Sequence, residues 1–346
     1  MDYEMLYESW TKTENMPQEL IGRDRSDVKL AVAERQNGNI SLFPNFRYIS
    51  RIFEPGDLLI FNDSLMLPSS LPAIEDSTGN SCRVHVGQPL SGSIYLAEIR
   101  PRYNFRNVKS GDYFQISNSG VGVEVVGKYE EFPRYARIRF HGLKKELNSF
   151  LLRFGKPIYY ERITKSFDYK YYKNVFQDRL GSSEYPSASR PFNNEIMREL
   201  SSRGVQSSTI TLHCNLASLE RDEFGNSNSL LPEYYEVTEE TAEKIRRTTL
   251  MHKRIIAVGT TVARAILSSM EDGKFTKSRG VTTIKIGPET EPFPLTGIIT
   301  GIHDAESSHH DLTSAFIGDL ISEPLSNIVS SFNLGGHEFG DSLMII

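Results

Sequence analysis

Residues 254–267 read RIIAVGTTVARAIL and join an apolar run to an amphipathic segment through a Gly-Thr-Thr turn. The apolar run is rich in β-branched residues and predicts a buried strand, and the segment after the glycine predicts a helix. In open α/β folds, ligands bind at the carboxyl ends of such strands. The helix start, the hydroxyls of Thr260 and Thr261 and the guanidinium of Arg264 would suit an anionic group such as a carboxylate. The alternative is a turn in which the threonines only cap the helix.

The composition is that of an ordinary globular protein. The 346 residues are 38% hydrophobic and 24% charged, enough for one large domain or two moderate ones. No apolar run approaches the roughly 20 residues of a membrane helix, and the acidic start lacks a signal-peptide pattern. Cys82 and Cys214 are far apart, so we expect a reduced, cytoplasmic protein. A net charge of −5 argues against a broad basic surface but not against an enzyme that handles RNA locally.

Residues 71–144 differ in pattern from the chain on either side. Short runs alternate polar and apolar side chains, with turn-forming residues between them, which is typical of a small antiparallel sheet or barrel. The flanking segments alternate strands and helices and predict a largely parallel sheet. We therefore expect the α/β class: a large mixed α/β domain formed by 1–70 and 145–346, with an inserted small antiparallel β-barrel domain at 71–144.

Individual elements can be placed in the flanking segments. Apolar runs predict strands at 58–61, 205–213, 282–286 and 295–300. One amphipathic helix is expected at 193–202, with Gly204 as its stop. Another should follow Thr238, whose hydroxyl would cap it ahead of two favourable glutamates.

A set of short motifs runs along the chain in a fixed order. They are QELI at 18–21, PGDLLIFND at 55–63, TLH at 211–213, EYYEVTEETA at 233–242, AVGTT at 257–261 with Arg264, IT at 299–300 with His303, SAF at 314–316 and FGDSLMII at 339–346. In this set and order the chain resembles the S-adenosylmethionine:tRNA ribosyltransferase-isomerases of queuosine biosynthesis. The resemblance implies a large α/β domain with an inserted β-barrel, in agreement with the change of pattern at 71–144.

The family's reaction moves the ribosyl part of S-adenosylmethionine to the aminomethyl group of a 7-deazaguanine in a tRNA anticodon loop. The ribosyl part rearranges to an epoxy-cyclopentanediol, and adenine and methionine leave. The resemblance therefore implies S-adenosylmethionine as a substrate and tRNA as a partner; we expect no metal. Because the sulfonium acidifies the adjacent 5′ carbon, it also implies a base there, an acid for adenine and groups that hold the methionine carboxylate.

Three residues are catalytic candidates. Asp63 and His213 end predicted strands and His303 follows a third, so the histidines are expected to face one pocket. Imidazole titrates near neutrality and could act as general base or acid. Asp63 could bind ribose hydroxyls or the methionine ammonium. The alternatives are structural histidines and an Asx-turn that closes the strand.

A second group is predicted to bind the cosubstrate. Arg264 and the threonine turn are assigned to the methionine carboxylate, and the EYYE segment to adenine or the substrate amine, with a plain strand as the alternative reading of that segment. The group comprises Asn62, Glu233, Tyr234, Tyr235, Gly259, Thr260, Thr261 and Arg264.

The chain departs from the family pattern where an acceptor would bind. Family arginines are replaced by Leu65 and Ser70, a family histidine by Pro191, and an apolar helical segment by DAESSHHDL at 304–312. Histidines on such a helix are costly unless they face solvent, a ligand or a metal, and the spacing matches no standard metal motif. The acceptor-pocket candidates are Ser187, Arg190, Ser307, Ser308, His309 and His310.

These departures leave three functions open. The first is the tRNA ribosyltransferase-isomerase itself. The second is a diverged paralogue that uses S-adenosylmethionine with another acceptor, such as a small molecule. The third is a non-catalytic homologue that binds RNA or a ligand. The sequence does not predict the oligomeric state.

Overall fold

The computed structural model describes residues 16–101, 108–130, 132, 134–159, 166–216, 230–303, 308–317, 325, 329, 331–336 and 338–346. The strands are β1 Leu30–Ala33, β2 Ile40–Phe43, β3 Leu58–Asn62, β4 Ser64–Met66, β5 Ser70–Glu75, β6 Ser81–Ser91, β7 Ile94–Arg100, β8 Tyr113–Ile116, β9 Gly122–Lys128, β10 Ala136–His141, β11 Arg179–Ser182, β12 Gln206–Leu212, β13 Glu233–Glu236, β14 Ile255–Val258, β15 Met270–Glu271, β16 Lys274–Phe275, β17 Arg279–Thr282, β18 Gly297–Gly301 and β19 Ser342–Ile345.

The helices connect and cover these strands. The α-helices are α1 Leu147–Phe154, α2 Asn194–Ser202, α3 Glu239–Leu250, α4 Thr260–Ser268 and α5 Ser308–Ser314. Short 3₁₀ helices span Gln18–Ile21, Phe46–Arg51, Tyr169–Tyr172 and Ser187–Ser189. As predicted, Thr238 caps α3, because its hydroxyl accepts a hydrogen bond from the Thr241 N–H. The predicted stop after α2, Gly204, has a φ of +79°.

A mixed sheet forms the centre of the α/β domain. Within the described residues its strand order is β17-β13-β12-β3-β14-β18-β19-β1-β2. The neighbours β12, β3, β14 and β18 are parallel, whereas β13, β17 and β2 pair antiparallel with their neighbours. The prediction of a largely parallel sheet therefore holds for its centre and for the pair β1–β19, which is also parallel. The strand predicted at 282–286 is wrong in its bounds, because β17 ends at Thr282.

The two faces of the sheet carry separate cores because side chains alternate along each strand. Leu58 and Ile60 of β3 pack in one cluster with Val262 and Ala263 of α4. Their neighbours Leu59 and Phe61 pack in another cluster with residues of α2 and the Phe46–Arg51 helix. The sheet is thus covered by helices on both faces, and polar residues at its carboxyl edge divide between those faces.

The inserted β-barrel is present and closes completely. Its strand order is β10-β7-β6-β5-β8-β9, with antiparallel pairing throughout. Phe150 and Leu151 of α1 pack into the same apolar cluster as the barrel strands. The predicted domain boundaries stay a prediction. In the part of the chain that the structure describes, no helix is both long and apolar enough to cross a membrane.

Candidate active site

The turn between β14 and α4 is built on a glycine. Gly259 has φ +105° and ψ 150°, a conformation essentially confined to glycine. Its N–H donates to the Ile299 carbonyl of β18 at 2.8 Å. A Cβ atom here would lie 3.3 Å from the Cβ of Ala188. The glycine therefore lets the chain enter α4 tightly against β18 and the 187–189 helix.

A cavity, the edge cavity, opens over this turn at the carboxyl edge of the sheet. It extends from the end of β3 across β14 to the end of β18, and α5 and the 184–189 segment form other walls. Of the predicted site residues, it is lined by Asn62, Ser187, Glu233, Gly259, Thr260, Thr261, Arg264, His303 and His309.

Asn62 holds the floor of the edge cavity together. Its side-chain amide donates to the Leu212 carbonyl at 2.9 Å and to Thr261 Oγ1 at 3.2 Å. Its side-chain oxygen accepts from the N–H groups of Leu212 and Ser64. The residue is 2% exposed, so it joins β3, β12 and the β14–α4 turn.

Arg264 and Glu233 form an ion pair at the side of the cavity. Nη1 of Arg264 donates to Oε2 of Glu233, and both side chains are close to nine-tenths buried. The other glutamate oxygen accepts from the Asn215 N–H at 2.9 Å. Nε and Nη2 of Arg264 are buried and have no hydrogen-bond partner among the described residues. Two directed donors of a guanidinium thus remain for a ligand.

Two histidines that line the cavity stack on each other. The rings of His303 and His309 have centroids 4.6 Å apart and lie within 12° of parallel. Nε2 of His303 is 2.9 Å from the hydroxyl of Thr300. Nδ1 of His309 is 2.9 Å from the hydroxyl of Thr260. A strand end and the first residue of α4 therefore fix the two rings.

Asp63 lies outside the edge cavity. Its carboxylate accepts a hydrogen bond from the Thr211 hydroxyl at 2.6 Å and lies 3.8 Å from Arg179 Nε. Arg179 also binds Glu236 at 2.8 Å. Burial raises the pKa of Asp63, against the opposing effects of Thr211 and Arg179. The role predicted for Asp63 stays a prediction, and this group belongs to the face of the sheet away from α4.

His213 lies on that other face as well, apart from His303. Nδ1 is 2.7 Å from the Ser64 hydroxyl, and the ring stacks on Tyr234 with centroids 5.7 Å apart. The Tyr234 hydroxyl donates to Glu236 at 3.2 Å. Burial and the charge of Arg179 lower the pKa of His213 to about 4. His213 and His303, which the sequence predicted to face one pocket, therefore lie apart.

The remaining predicted residues do not line the edge cavity. The Tyr235 hydroxyl donates to the Ser268 carbonyl at 2.8 Å, and the ring is buried in the core. Arg190 is buried and binds Glu19 at 2.6 Å. Ser307 lies outside the described residues, and for Ser308 and His310 only the backbone, in α5, is described.

Asn215 and Glu184 are among the polar cavity residues that the sequence argument missed. Asn215 lies three residues after the end of β12, and its side chain accepts from the Gln88 N–H of the barrel and donates to the Pro232 carbonyl. The reasoning that selected Asn62, a polar residue after a strand, would have found it. Glu184 precedes residues 185–192, the stretch that contains Pro191, where the chain departs from the family pattern. Among the described residues, no group of three or more histidine, cysteine or carboxylate side chains is placed to hold a metal ion.

The fold and the edge cavity define a class: a mixed α/β protein with an inserted barrel and a polar cleft at the carboxyl edge of its sheet. A family model described as queuosine biosynthesis protein matches residues 11–345, so the chain belongs to that family.

The comparisons with individual proteins cover almost the whole chain. It is 30% identical to the S-adenosylmethionine:tRNA ribosyltransferase-isomerase of Clostridioides difficile strain 630, over 96% of this chain and 97% of that relative. It is 27% identical to the enzyme of the same name from Staphylococcus aureus strain JH9, over 96% and 98%. A crystal structure of the S-adenosylmethionine tRNA ribosyltransferase from Thermotoga maritima matches with 23% identity and a TM-score of 0.49, over 96% and 99%.

Proposed function

We propose that this protein is an S-adenosylmethionine:tRNA ribosyltransferase-isomerase. It transfers the ribosyl part of S-adenosylmethionine to the aminomethyl group of a 7-deazaguanine in tRNA, with release of adenine and methionine, in the cytoplasm. Family membership over nearly the whole chain supports the reaction. The observation that carries the assignment is the edge cavity, where the Gly259 turn, Arg264 and two histidines meet at the carboxyl edge of the sheet.

Arg264 is the group that we assign to the methionine carboxylate. Glu233 holds Nη1, while Nε and Nη2 are left as parallel donors with no described partner. That edge of a guanidinium matches a carboxylate in bidentate geometry. Because the donors are buried, a bound carboxylate would compensate their desolvation as well as their charge.

His303 and His309 are the groups that we assign to proton transfer. Their rings stack with centroids 4.6 Å apart at the wall of the edge cavity. A neutral ring can take a proton from the acidified 5′ carbon, and a protonated one can donate to departing adenine.

Product analysis tests the proposal. Purified protein is incubated with S-adenosylmethionine alone, with unmodified tRNA, and with tRNA that carries 7-aminomethyl-7-deazaguanine, and adenine and methionine are followed by mass spectrometry. We expect equimolar release of both products only with the modified tRNA. Release that needs a different acceptor would support a diverged paralogue. Neither binding nor turnover of S-adenosylmethionine would refute the enzyme assignment.

The Arg264 assignment makes a sharper prediction. Arg264→Ala should weaken S-adenosylmethionine binding by about 10- to 100-fold, the value of a charged hydrogen bond. Isothermal titration calorimetry measures this, with Arg198→Ala, an exposed arginine of α2, as the matched control. Because the single change leaves Glu233 buried without its cation, the double variant Arg264→Ala/Glu233→Gln is measured beside it. Unchanged affinity in a folded variant would show that Arg264 does not hold the carboxylate.

A further inference from the structure

A second recess adjoins the edge cavity. It shares Ser187, Ala188 and Gly301 with that cavity and continues toward the C-terminal segment, where Glu338 and Phe339 line it. We call it the Glu338 recess. A group bound there would therefore lie beside whatever occupies the edge cavity.

Glu338 is a partly buried residue, and among the described residues no arginine or lysine forms a salt bridge with its carboxyl group. Its Oε2 atom is inaccessible to solvent and accepts no hydrogen bond from any described residue. The backbone has φ +71°, a strained conformation for a residue with a side chain. Burial and the nearby charge of Glu184 raise the pKa of Glu338 to about 8. The positive φ of Glu338 and its buried Oε2 atom are not compensated by any described contact, and this points to a ligand.

The charged neighbours of the recess already have partners. Arg190 binds Glu19 at 2.6 Å, and Arg25 binds the same glutamate at 3.3 Å. The Asp341 carboxylate accepts from the N–H groups of Lys29 and Gly335. No described arginine or lysine lies within salt-bridge distance of the Glu338 carboxyl group, so this carboxyl differs from Asp341, which is satisfied by backbone donors.

Tyr172 and Tyr185 lie close enough to Glu338 to feel its charge, and Phe339 follows it in the chain. Tyr172 packs edge-on against Tyr185 with centroids 5.6 Å apart, and against Phe339 at 5.3 Å. Burial raises the pKa of both tyrosines, and the charge of Glu338 raises it further. The buried Tyr185 hydroxyl has no hydrogen-bond partner among the described residues. The guanidinium of Arg190 already lies 4.8 Å from the centroid of the Phe339 ring, so this aromatic environment beside a carboxyl group suits a cation.

We propose that the Glu338 recess binds a positively charged amine of a substrate. The inference rests on the proposed function, because the proposed substrates supply two candidate amines. They are the aminomethyl group of the deazaguanine and the α-ammonium of S-adenosylmethionine. Both would reach the recess from the edge cavity through the shared wall at Ser187 and Gly301. The amine supplies the cation that Glu338 lacks and a donor for the Tyr185 hydroxyl.

Matched ligand pairs test this proposal by calorimetry on the full chain. One pair is 7-aminomethyl-7-deazaguanine and 7-methyl-7-deazaguanine, and the other is S-adenosylmethionine and its analogue without the α-amino group. Each is titrated into the unchanged protein, Glu338→Gln and the control Glu199→Gln, an exposed carboxylate of α2. We expect Glu338→Gln to lose at least tenfold in affinity for the amine of one pair, and none for its amine-free partner. The affected pair identifies the source.

Other outcomes refute the site. The proposal is wrong if Glu338→Gln binds both amines within twofold of the unchanged protein, or if the unchanged protein prefers neither amine to its partner. Circular dichroism checks folding, and Glu338→Ala replaces the glutamine variant if that variant does not fold. The product assay separates the two proposals: Glu338-dependent amine binding without adenine release would refute only the proposed function, whereas adenine release with no Glu338 effect on binding would refute only the site.

Discussion

At the scale of single residues, His213 shows how burial sets a protonation state. Its ring nitrogen is tied to the Ser64 hydroxyl, which is 2.6 Å from the hydroxyl of Ser182. Ser182 in turn accepts from the Cys214 N–H. Hydroxyls can reverse direction, so this chain accommodates either tautomer of the imidazole. The low pKa of about 4 therefore comes from burial and from Arg179 rather than from the hydrogen bonds.

This low pKa predicts a pH dependence of stability. An unfolded histidine titrates near 6.5, so between about pH 6.5 and 4 the unfolded chain binds a proton that the folded chain does not. Stability should therefore fall as the pH falls through this window, by at most about 3 kcal/mol from this group. Urea unfolding at pH 7 and pH 4.5 should show a smaller loss for His213→Asn than for the unchanged protein.

A second histidine provides the control for that experiment. His252 is exposed and has φ +52°, a conformation that asparagine tolerates well. His252→Asn should therefore lose as much stability between the two pH values as the unchanged protein does. Equal losses in the unchanged protein and in His213→Asn would show that His213 titrates normally.

Neighbouring residues show how far the sequence could predict the site. Selecting polar groups at strand ends and at the start of a helix identified Asn62, His303 and Arg264, which line the edge cavity. The same argument placed Asp63 beside Asn62, and the structure separates them because successive side chains of a strand point to opposite faces. Assigning alternate residues of each strand motif to opposite faces of the sheet would have separated Asn62 from Asp63. Strand order, which decides which faces meet, was not available from the motifs.

At the scale of elements, the β14–α4 turn depends on its glycine. The carbonyl of Gly259 accepts from the Val262 N–H at 3.1 Å, while its own N–H is bound to β18. The residue thus ends one element and begins the next without an intervening loop. This direct transition requires a φ of +105° at Gly259, a value that residues with a side chain rarely adopt.

Gly259→Ala should accordingly lower the free energy of unfolding by about 1–3 kcal/mol. It should also weaken S-adenosylmethionine binding, because α4 carries Thr260 and Arg264. Gly287→Ala is the matched control, since a Cβ there meets no atom within 4 Å and its φ is not positive; we expect a change of at most about 1 kcal/mol, in the stabilising direction. Urea unfolding measures both. Equal effects of the two changes would contradict the strain argument.

At the scale of the whole molecule, the inserted barrel contacts Asn215, a residue that lines the edge cavity. Alternation along β7 places Ala97 and Ile99 inside the barrel, while Leu96 and Glu98 are buried on its outer face. The change from helical to alternating pattern predicted the barrel. Its docking could not be predicted, because a barrel has no free edge and only packing determines which side faces the sheet.

Polar contacts join the docked barrel to the edge cavity. The N–H of Gln88 donates to the side chain of Asn215, and its amide donates to the His213 carbonyl. A Cβ at Gly87 would lie 2.7 Å from Asn215 Oδ1, so the two units approach closely at this point. Asn215 also donates its N–H to Glu233, the partner of Arg264. Docking therefore supports the Arg264 side of the edge cavity.

Leu96 is the residue that tests this docking. It is fully buried, in one cluster with Leu216 and Leu231 of the α/β domain. Leu96→Ala should lower the free energy of unfolding by about 2–5 kcal/mol and increase the rate of trypsin cleavage between the units. Leu152→Ala, at a leucine that is 47% exposed on α1, should change stability by at most about 0.5 kcal/mol. Because docking supports Asn215, the Leu96 variant should also bind S-adenosylmethionine more weakly at temperatures where it is still folded. A destabilised variant with unchanged affinity would show that the barrel stabilises the fold but does not shape the cavity.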